Sequence, residues 1–493
     1  MLTLRNYQKH IIKDCVETIN INKFKAPLVV APTGSGKTIM FAFMALNAMN
    51  KGKRVLILTH RREILQQTMS KLYEFGVQSG QIASGRPMTD ELIQVAMVGT
   101  IVRRLDSIIP PDLIIIDEAH HAVSDTWYKT LQHFPDALKI GFTATPERLS
   151  GEGLIQVFDT MIEGPSIMEL VKSGHLSYPR MFCGPNVQST SKMKVTRGDY
   201  DKTEQTKKMK KRVVVGSVID HYKQKLNGLP TVCFCVSIEH CHIMEDEFRA
   251  AGFRARTVHG KMNRTDRDAA INGLSTGEVQ VLCSCDVISE GVDVPIIAGA
   301  ILLRRTKSLG LYLQQVGRSL RPYPGKTEAI ILDHAGCFHE HGHVLANRDW
   351  SLHAKKRNKR DSDENKRPDV SACPACGGVW PGMPRTCPGI MPDGSICGYN
   401  LQADRDRALG RRPPEEIEGI LKEVMPADTD QSEINALILQ ALRIQQMTPN
   451  DKRKAIMSNL YRNGDTQRVK GLSLALGYKS NFTATAYRRI SGK

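Results

Sequence analysis

Residues 26–38 read APLVVAPTGSGKT, and residues 113–121 read LIIIDEAHH. Each is a short apolar run that ends abruptly in residues able to do chemistry. Runs of this length, bounded by turn residues, are what strands buried on both faces of a parallel sheet require. Further runs follow at RVLILT (54–59) and KIGFTA (139–144), separated by amphipathic stretches. The rhythm restarts with TVCFCV (231–236), FRARTVH (253–259), VQVLCS (279–284), GAILL (299–303) and AIILD (329–333). Apolar strands alternating with helical stretches predict α/β architecture, here two parallel-sheet domains in tandem.

The first stretch fits G-x-x-x-x-G-K-[ST] if Ala31 takes the first glycine position, with Gly34, Ser35, Gly36, Lys37 and Thr38 following. Small residues between a strand and a helix let main-chain N–H groups close around phosphate oxygens, and the helix N-terminus adds partial positive charge. Lys37 is expected on the β- and γ-phosphates of ATP and Thr38 on Mg²⁺. In the second stretch the strand delivers Asp117 and Glu118 to the carboxyl edge of the sheet, where open α/β sheets bind ligands. Asp117 suits Mg²⁺ and Glu118 suits orienting and deprotonating an attacking water.

Asp117-Glu118-Ala119-His120 resembles motif II of superfamily 2 helicases of the DEAH-box kind, and a set of ordered matches accompanies it. LRNYQ (4–8) resembles the Q motif, which implies an adenine contact by Gln8 with Arg5 beside it. LTHRREILQQ (58–67) and VGT (98–100) resemble motifs Ia and Ib, implying backbone contacts to nucleic acid by Arg61, Arg62 and Thr100. TAT (143–145) resembles motif III, implying that Thr143 and Thr145, with His120, couple hydrolysis to movement. VHGKMNRTDRDAAINGL (258–274) and SCDVISEGVDVP (284–295) resemble motifs IVa and V, with Gly291 and Asp293 toward the nucleotide; Cys285 stands where motif V often has threonine. QQVGRSLRP (314–322) resembles motif VI, implying nucleotide contacts by Gln314, Arg318 on the γ-phosphate and Arg321 as the finger. The resemblance covers about residues 1–345 and implies two RecA-like domains. The stretch 302–336 looks most like bacterial and phage RadD-type repair helicases.

The domains expected are 1–180 and 181–345, then a charged linker (346–370), a cysteine module (371–402) and a basic helical region (403–493). The polar stretch 184–212 is expected to be a linker or surface excursion. Of twelve cysteines, eight are scattered and several lie in apolar runs, where they read as small buried hydrophobes of a reducing compartment. The other four, Cys373, Cys376, Cys387 and Cys397, are spaced C-x₂-C-x₁₀-C-x₉-C. Four thiolates suit a closed, structural Zn²⁺ site. His334, Cys337, His339, His341 and His343 share one short loop and read more readily as surface residues than as a second metal site.

With 68 Lys+Arg against 51 Asp+Glu, the chain carries +17. An excess of this size suggests a polyanionic partner. It concentrates after residue 430, where 11 basic side chains meet 3 acidic ones, among them Arg462, Lys470, Arg488 and Arg489 near Tyr461, Tyr478, Phe482 and Tyr487. Basic groups interleaved with aromatics suit single-strand binding, and an ordinary small helical domain fits as well. No apolar run approaches the ~20 residues of a membrane span, and MLTLRNYQKH lacks a signal-peptide core, so a cytoplasmic protein of a bacterial or phage-infected cell is expected. Together these readings describe an ATP- and Mg²⁺-dependent nucleic-acid motor, with DNA favoured over RNA on resemblance and a monomer compatible with the sequence. The alternatives are an RNA helicase, a DNA-remodelling translocase that separates no strands, and an ATP-gated clamp. No nuclease carboxylate–lysine set supports a restriction motor.

Overall fold

A computed structural model describes residues 4–148, 151–183, 194–196, 198–209, 212–288, 294–353, 370–372, 379–381, 386, 398–399 and 422–424. The first sheet has seven strands: β1 (Pro27–Val30), β2 (Val55–Thr59), β3 (Gly80–Ile82), β4 (Ile93–Met97), β5 (Leu113–Asp117), β6 (Leu138–Thr143) and β7 (Thr160–Glu163). Their spatial order is β3-β4-β2-β5-β6-β1-β7, and every pairing is parallel.

The second sheet is built on β8 (Tyr178–Cys183), β11 (Thr231–Phe234), β12 (Ala255–His259), β13 (Val281–Cys285), β14 (Gly299–Leu302) and β15 (Glu328–Asp333), in the order β12-β13-β11-β14-β15-β8. A small hairpin of β9 (Val195–Thr196) and β10 (Asp199–Tyr200) stands apart. Three short strands, β16 (Val370–Ala372), β17 (Val379–Pro381) and β18 (Lys422–Val424), extend the sheet beyond β8, where β18 pairs antiparallel. All nine strands expected from the apolar runs are present. β3, β4, β7 and β8 are additional, being short or partly polar.

Both sheets are buried on both faces, as parallel sheets with crossover helices must be. In the first, Val29, Ile57, Val95 and Ile115 face one core while Leu28, Leu56, Ala96 and Ile114 face the other. In the second, Val232, Leu282 and Ala300 face one core, and Cys233, Cys283 and Ile301 the opposite one. The period-2 alternation of strands accounts for this division. The eight scattered cysteines are all buried, as apolar packing requires.

Two segments do more than their composition suggested. Residues 199–209, expected to be linker or excursion, are packed: Asp199 accepts from Thr306 and from the Lys307 N–H, Tyr200 donates to Glu340, and Gln205 accepts from the Arg305 N–H. The 334–343 loop is not a surface histidine cluster. His334 and Cys337 are enclosed, His343 is buried, and Cys337 donates to the Arg304 carbonyl. Burial beside His221 pushes His334 down to about 3, so it is neutral. Among the described residues no group of side chains is arranged to hold a metal ion. Residues 343–353 then return to the first domain, where Leu352 accepts from the Leu154 and Ile155 N–H groups.

Candidate nucleotide site in the interdomain cleft

Strands β5, β6 and β1 are neighbours, with Asp117 opposite Phe142 and Thr143 opposite Val30. Three stretches separated by up to about a hundred residues in the chain therefore end side by side at one carboxyl edge. The loop after β1 turns through Gly34 (φ +87°) and Gly36 (φ +79°), and Lys37 opens the helix Lys37–Met49. These glycines also permit close approach. A Cβ on Gly36 would stand 2.5 Å from Gln8 Nε2, and one on Gly34 would stand 2.9 Å from Leu176 Cδ2 and 3.7 Å from Arg321 Cγ.

Gln8 is the third residue of the first helix, Asn6–Asn20, where its side chain accepts from the Arg5 N–H (2.9 Å) and donates to the Ser35 carbonyl (3.0 Å). Tyr7 donates to that same carbonyl at 2.6 Å. Its ring lies against His175, which burial and the Arg5 charge bring down to about 4. Lys37 Nζ donates to the Ala31 and Pro32 carbonyls. Burial pushes its ammonium down, opposed by Glu118 and Asp117 and assisted by Arg318 and Arg321.

Asp117 is buried beside Glu118, and desolvation with that like charge raises it to about 7. Its carboxylate accepts from the Glu118 N–H, and Glu118 itself takes a left-handed backbone (φ +50°). Glu118 Oε2 is buried without a hydrogen bond, with His120 Nδ1 3.4 Å away. Thr143 Oγ1 donates to the Thr145 carbonyl (2.7 Å), which leaves its lone pairs for the Thr145 N–H and for His120 Nδ1 at 3.2 Å. That network assigns the Nδ1 proton to His120 and links the strand end after β5 to the one after β6.

The second domain faces this edge with the helix Leu309–Ser319, which is buried from Tyr312 to Ser319. Gly317 packs on the phosphate loop so closely that a Cβ there would lie 2.7 Å from Thr33 Cβ. Gln314 and Arg318 are buried on this helix, and Arg321 follows it. Two further contacts bind the domains beyond the loop: Arg267 pairs with Glu63 at 2.7 Å, and Arg61 donates to the Asp286 carbonyl at 3.3 Å. Asp286, an exposed residue, is held by Lys202 and Arg304, whose charges outweigh partial desolvation and keep its carboxyl below the usual range. Of the arginine pair expected on nucleic acid, Arg61 thus reaches across the cleft and Arg62 is exposed, with Thr100 half-buried.

Residues 1–148 match the type III restriction enzyme res subunit family, and residues 210–323 match the helicase conserved C-terminal domain. A 51.5 kDa protein of Lactococcus phage (isolate 7-9) is 32% identical over 377 residues, covering 76% of this chain and 78% of that one. The chain belongs to the superfamily 2 helicases. It is accordingly an ATP-hydrolysing enzyme of the nucleic-acid helicase kind. A Saccharomyces cerevisiae protein named as the ATP-dependent helicase IRC3 is 30% identical over 359 residues, 68% of this helicase and 51% of its own length. The helicase thus spans about half of that yeast relative. In fold it is similar to an HsdR-subunit fragment of a type I restriction enzyme from Vibrio vulnificus YJ016 (TM-score 0.54, 23% identity, 68% and 65% covered). It is similar also to the type ISP restriction-modification enzyme LlaBIII, solved bound to DNA (TM-score 0.51, 16% identity, 67% and 27% covered).

Gly291 and Asp293 lie outside the described residues, as do the four clustered cysteines and nearly all of the basic tail. Composition alone did not single out Tyr7, Glu63, Arg267 or Asp286. Each lies within a motif stretch, but a contact between domains leaves no spacing in either segment. No helix among the described residues is long and apolar enough to cross a membrane.

Proposed function

We propose that the helicase is a DNA-dependent ATPase that moves along or separates DNA strands, with hydrolysis driven from the cleft between its two sheets. The observation that carries this is the seating of Gly317 on Thr33 and of Arg321 beside Gly34, one domain on the phosphate loop of the other, with Arg318 near enough for its charge to act on Lys37. Such a site is complete only when the domains are together, so loss of the γ-phosphate changes what holds them.

In this reading Gly34, Ser35 and Gly36 offer main-chain N–H groups to the phosphates, and Lys37 exchanges its two carbonyl partners for the β- and γ-oxygens. Gln8, with Arg5 and Tyr7 beside it, couples base recognition to the Ser35 carbonyl. Asp117 and Thr38 are the residues to hold Mg²⁺. The carboxylate raised by burial suits this, because a divalent cation restores the charge that burial and Glu118 disfavour. Mg²⁺ when bound neutralises phosphate charge. Glu118, with its buried oxygen lacking a hydrogen bond, orients the attacking water and takes its proton. Arg318 and Arg321 stabilise charge on the transferring phosphoryl group. His120, Thr143 and Thr145 pass the change to the strand ends, and Arg62 and Thr100 meet the DNA backbone. Gln314, Gly291 and Asp293 complete the second domain's share.

We assign Cys373, Cys376, Cys387 and Cys397 to a structural Zn²⁺ site on their spacing, and the DNA-repair role to resemblance with RadD-type helicases. One zinc per chain by elemental analysis checks the first assignment, and a zinc-free protein refutes it. ATPase rates with no nucleic acid, single-stranded DNA, duplex DNA and RNA, beside strand displacement, test the function. Strong stimulation by DNA that vanishes in Glu118→Gln is expected. Stimulation by RNA alone makes it an RNA helicase, and a rate indifferent to nucleic acid overturns the motor. DNA stimulation without displacement identifies a translocase, and ATP-dependent affinity with negligible turnover a clamp.

A further inference from the structure

After the helix Leu309–Ser319 the chain reads LRPYPGK over residues 320–326. The Lys326 N–H donates to the Tyr323 carbonyl at 2.9 Å, and Gly325 has φ +82°. Proline then glycine at the two central positions is the chemistry of a type II turn, which needs positive φ at its third residue. The reversal sends the Lys326 side chain back beneath the helix it has just left. There it is 7% exposed, and its Nζ donates to the Ile297 carbonyl at 2.6 Å, to the Arg321 carbonyl at 2.7 Å and to the Ser319 carbonyl.

An ammonium among the last carbonyls of a helix satisfies acceptors that have no intrahelical partner and meets the negative end of the helix dipole. Burying it is nevertheless costly, since a buried cation loses hydration that only good hydrogen bonds replace. Burial and the nearby Arg321 charge push Lys326 down to about 7, the direction that holding an ammonium out of water dictates. A methionine would fill the same space without that cost. What the cation adds is specific: it ties together the loop before β14, the end of the helix and the main chain of Arg321. Ser319 adjoins Arg318, and Arg321 Cγ lies 3.7 Å from where a Gly34 Cβ would stand, in van der Waals reach of the phosphate loop.

The geometry points to Lys326 as a positioning residue for hydrolysis: it fixes the main chain that carries Arg318 and Arg321, and so holds Arg321 at the phosphate loop of the other domain. This rests on the reading of Arg321 as the finger. It adds a residue that touches no phosphate and acts only through that arginine.

The test is a double-mutant cycle in the full chain, with Lys326→Met, Arg321→Ala and the pair, read as kcat and KM for ATP under saturating DNA beside thermal unfolding. Arg321→Ala is expected to lower kcat by roughly 10³-fold. Lys326→Met is expected to lower it by about 10- to 100-fold with KM within about twofold, and the pair to be no slower than Arg321→Ala alone, because groups acting as a unit are not additive. Unchanged kcat in Lys326→Met, or losses that multiply in the pair, overturn the positioning role. An unimpaired Arg321→Ala instead removes the finger reading, and the inference falls with it. Should Lys326→Met lose its cooperative unfolding transition, the cycle is run with Lys326→Gln, which keeps two N–H donors. Coupling to Arg321→Ala is expected there too, and multiplying losses overturn the role equally.

Discussion

Two carboxylates at the end of one buried strand do not share the same work. Asp117 is raised toward neutrality by burial and Glu118, while Glu118 keeps a buried oxygen without a hydrogen bond next to His120. Glu118→Gln is expected to slow ATP hydrolysis by about 10²- to 10⁴-fold, the usual worth of a general base, while retaining ATP binding. Single-turnover hydrolysis beside equilibrium binding checks this. Asp117 also predicts a pH effect. Its folded form holds a proton that the unfolded chain has already lost between about pH 4 and 7, so stability falls across that window. Asp117→Asn is therefore expected to stabilise the nucleotide-free helicase at pH 8, by on the order of 4 kcal/mol. The gain shrinks to nothing as pH falls toward 4. Denaturant melts at pH 8 and 5 measure it, and an equal gain at both contradicts the assignment. At this scale the sequence was largely legible, since the phosphate loop and the acidic strand end are local patterns. What it lacked was any mark on Tyr7 or Lys326, whose partners are main-chain carbonyls.

Among the elements, β5 and the helix Leu309–Ser319 show different kinds of constraint. Ile115 is wholly buried in the first domain's core. Ile115→Ala is expected to cost about 2–5 kcal/mol and to shift Asp117 with the strand, so both stability and ATPase fall. Chemical denaturation beside turnover separates the two losses. Gly317 is constrained from outside its own helix. As a helical residue it is a poor choice, since alanine there would ordinarily gain roughly 1 kcal/mol. Yet its missing side chain is what admits Thr33 from the other domain. Gly317→Ala is expected not to lower the unfolding midpoint, the helix itself gaining up to roughly 1 kcal/mol, while reducing kcat by at least about 10-fold, as small misplacements at a reacting centre can do. Full activity would show that the close approach is dispensable. The apolar runs announced nine strands because burial on both faces leaves a continuous apolar record. They missed β3, β4, β7 and β8 because such short strands take their place from neighbours rather than from composition. The packed 199–209 segment was missed for a related reason: its anchors Asp199, Tyr200 and Gln205 are polar, and polarity in a sequence resembles exposure.

For the whole molecule, the contacts that matter run between domains. The Arg267–Glu63 pair is partly exposed, so its direct worth is small, about 1 kcal/mol or less. Its effect is expected in coupling instead. Arg267→Glu should weaken the stimulation of ATPase by DNA several-fold with little change in basal rate, and Glu63→Arg in the same chain should restore part of it. Failure of the swap to restore anything would show that the pair is incidental. Shortening the chain at residue 430 removes 11 basic and 3 acidic side chains. It is expected to weaken DNA binding and flatten its salt dependence, since fewer phosphates are neutralised, and to spare basal ATPase. Titrations at several salt concentrations decide this, and an unchanged slope counts against the tail. By itself the sequence determined two parallel-sheet α/β domains and the residues of the phosphate loop and acidic strand end, because strand burial and phosphate binding are written in contiguous residues. Only the tertiary structure decided that Gly317 meets Thr33, that Arg61 spans to Asp286, and that Lys326 sits beneath its own helix. Those facts depend on which surfaces meet after folding, and one-dimensional spacing carries no record of that.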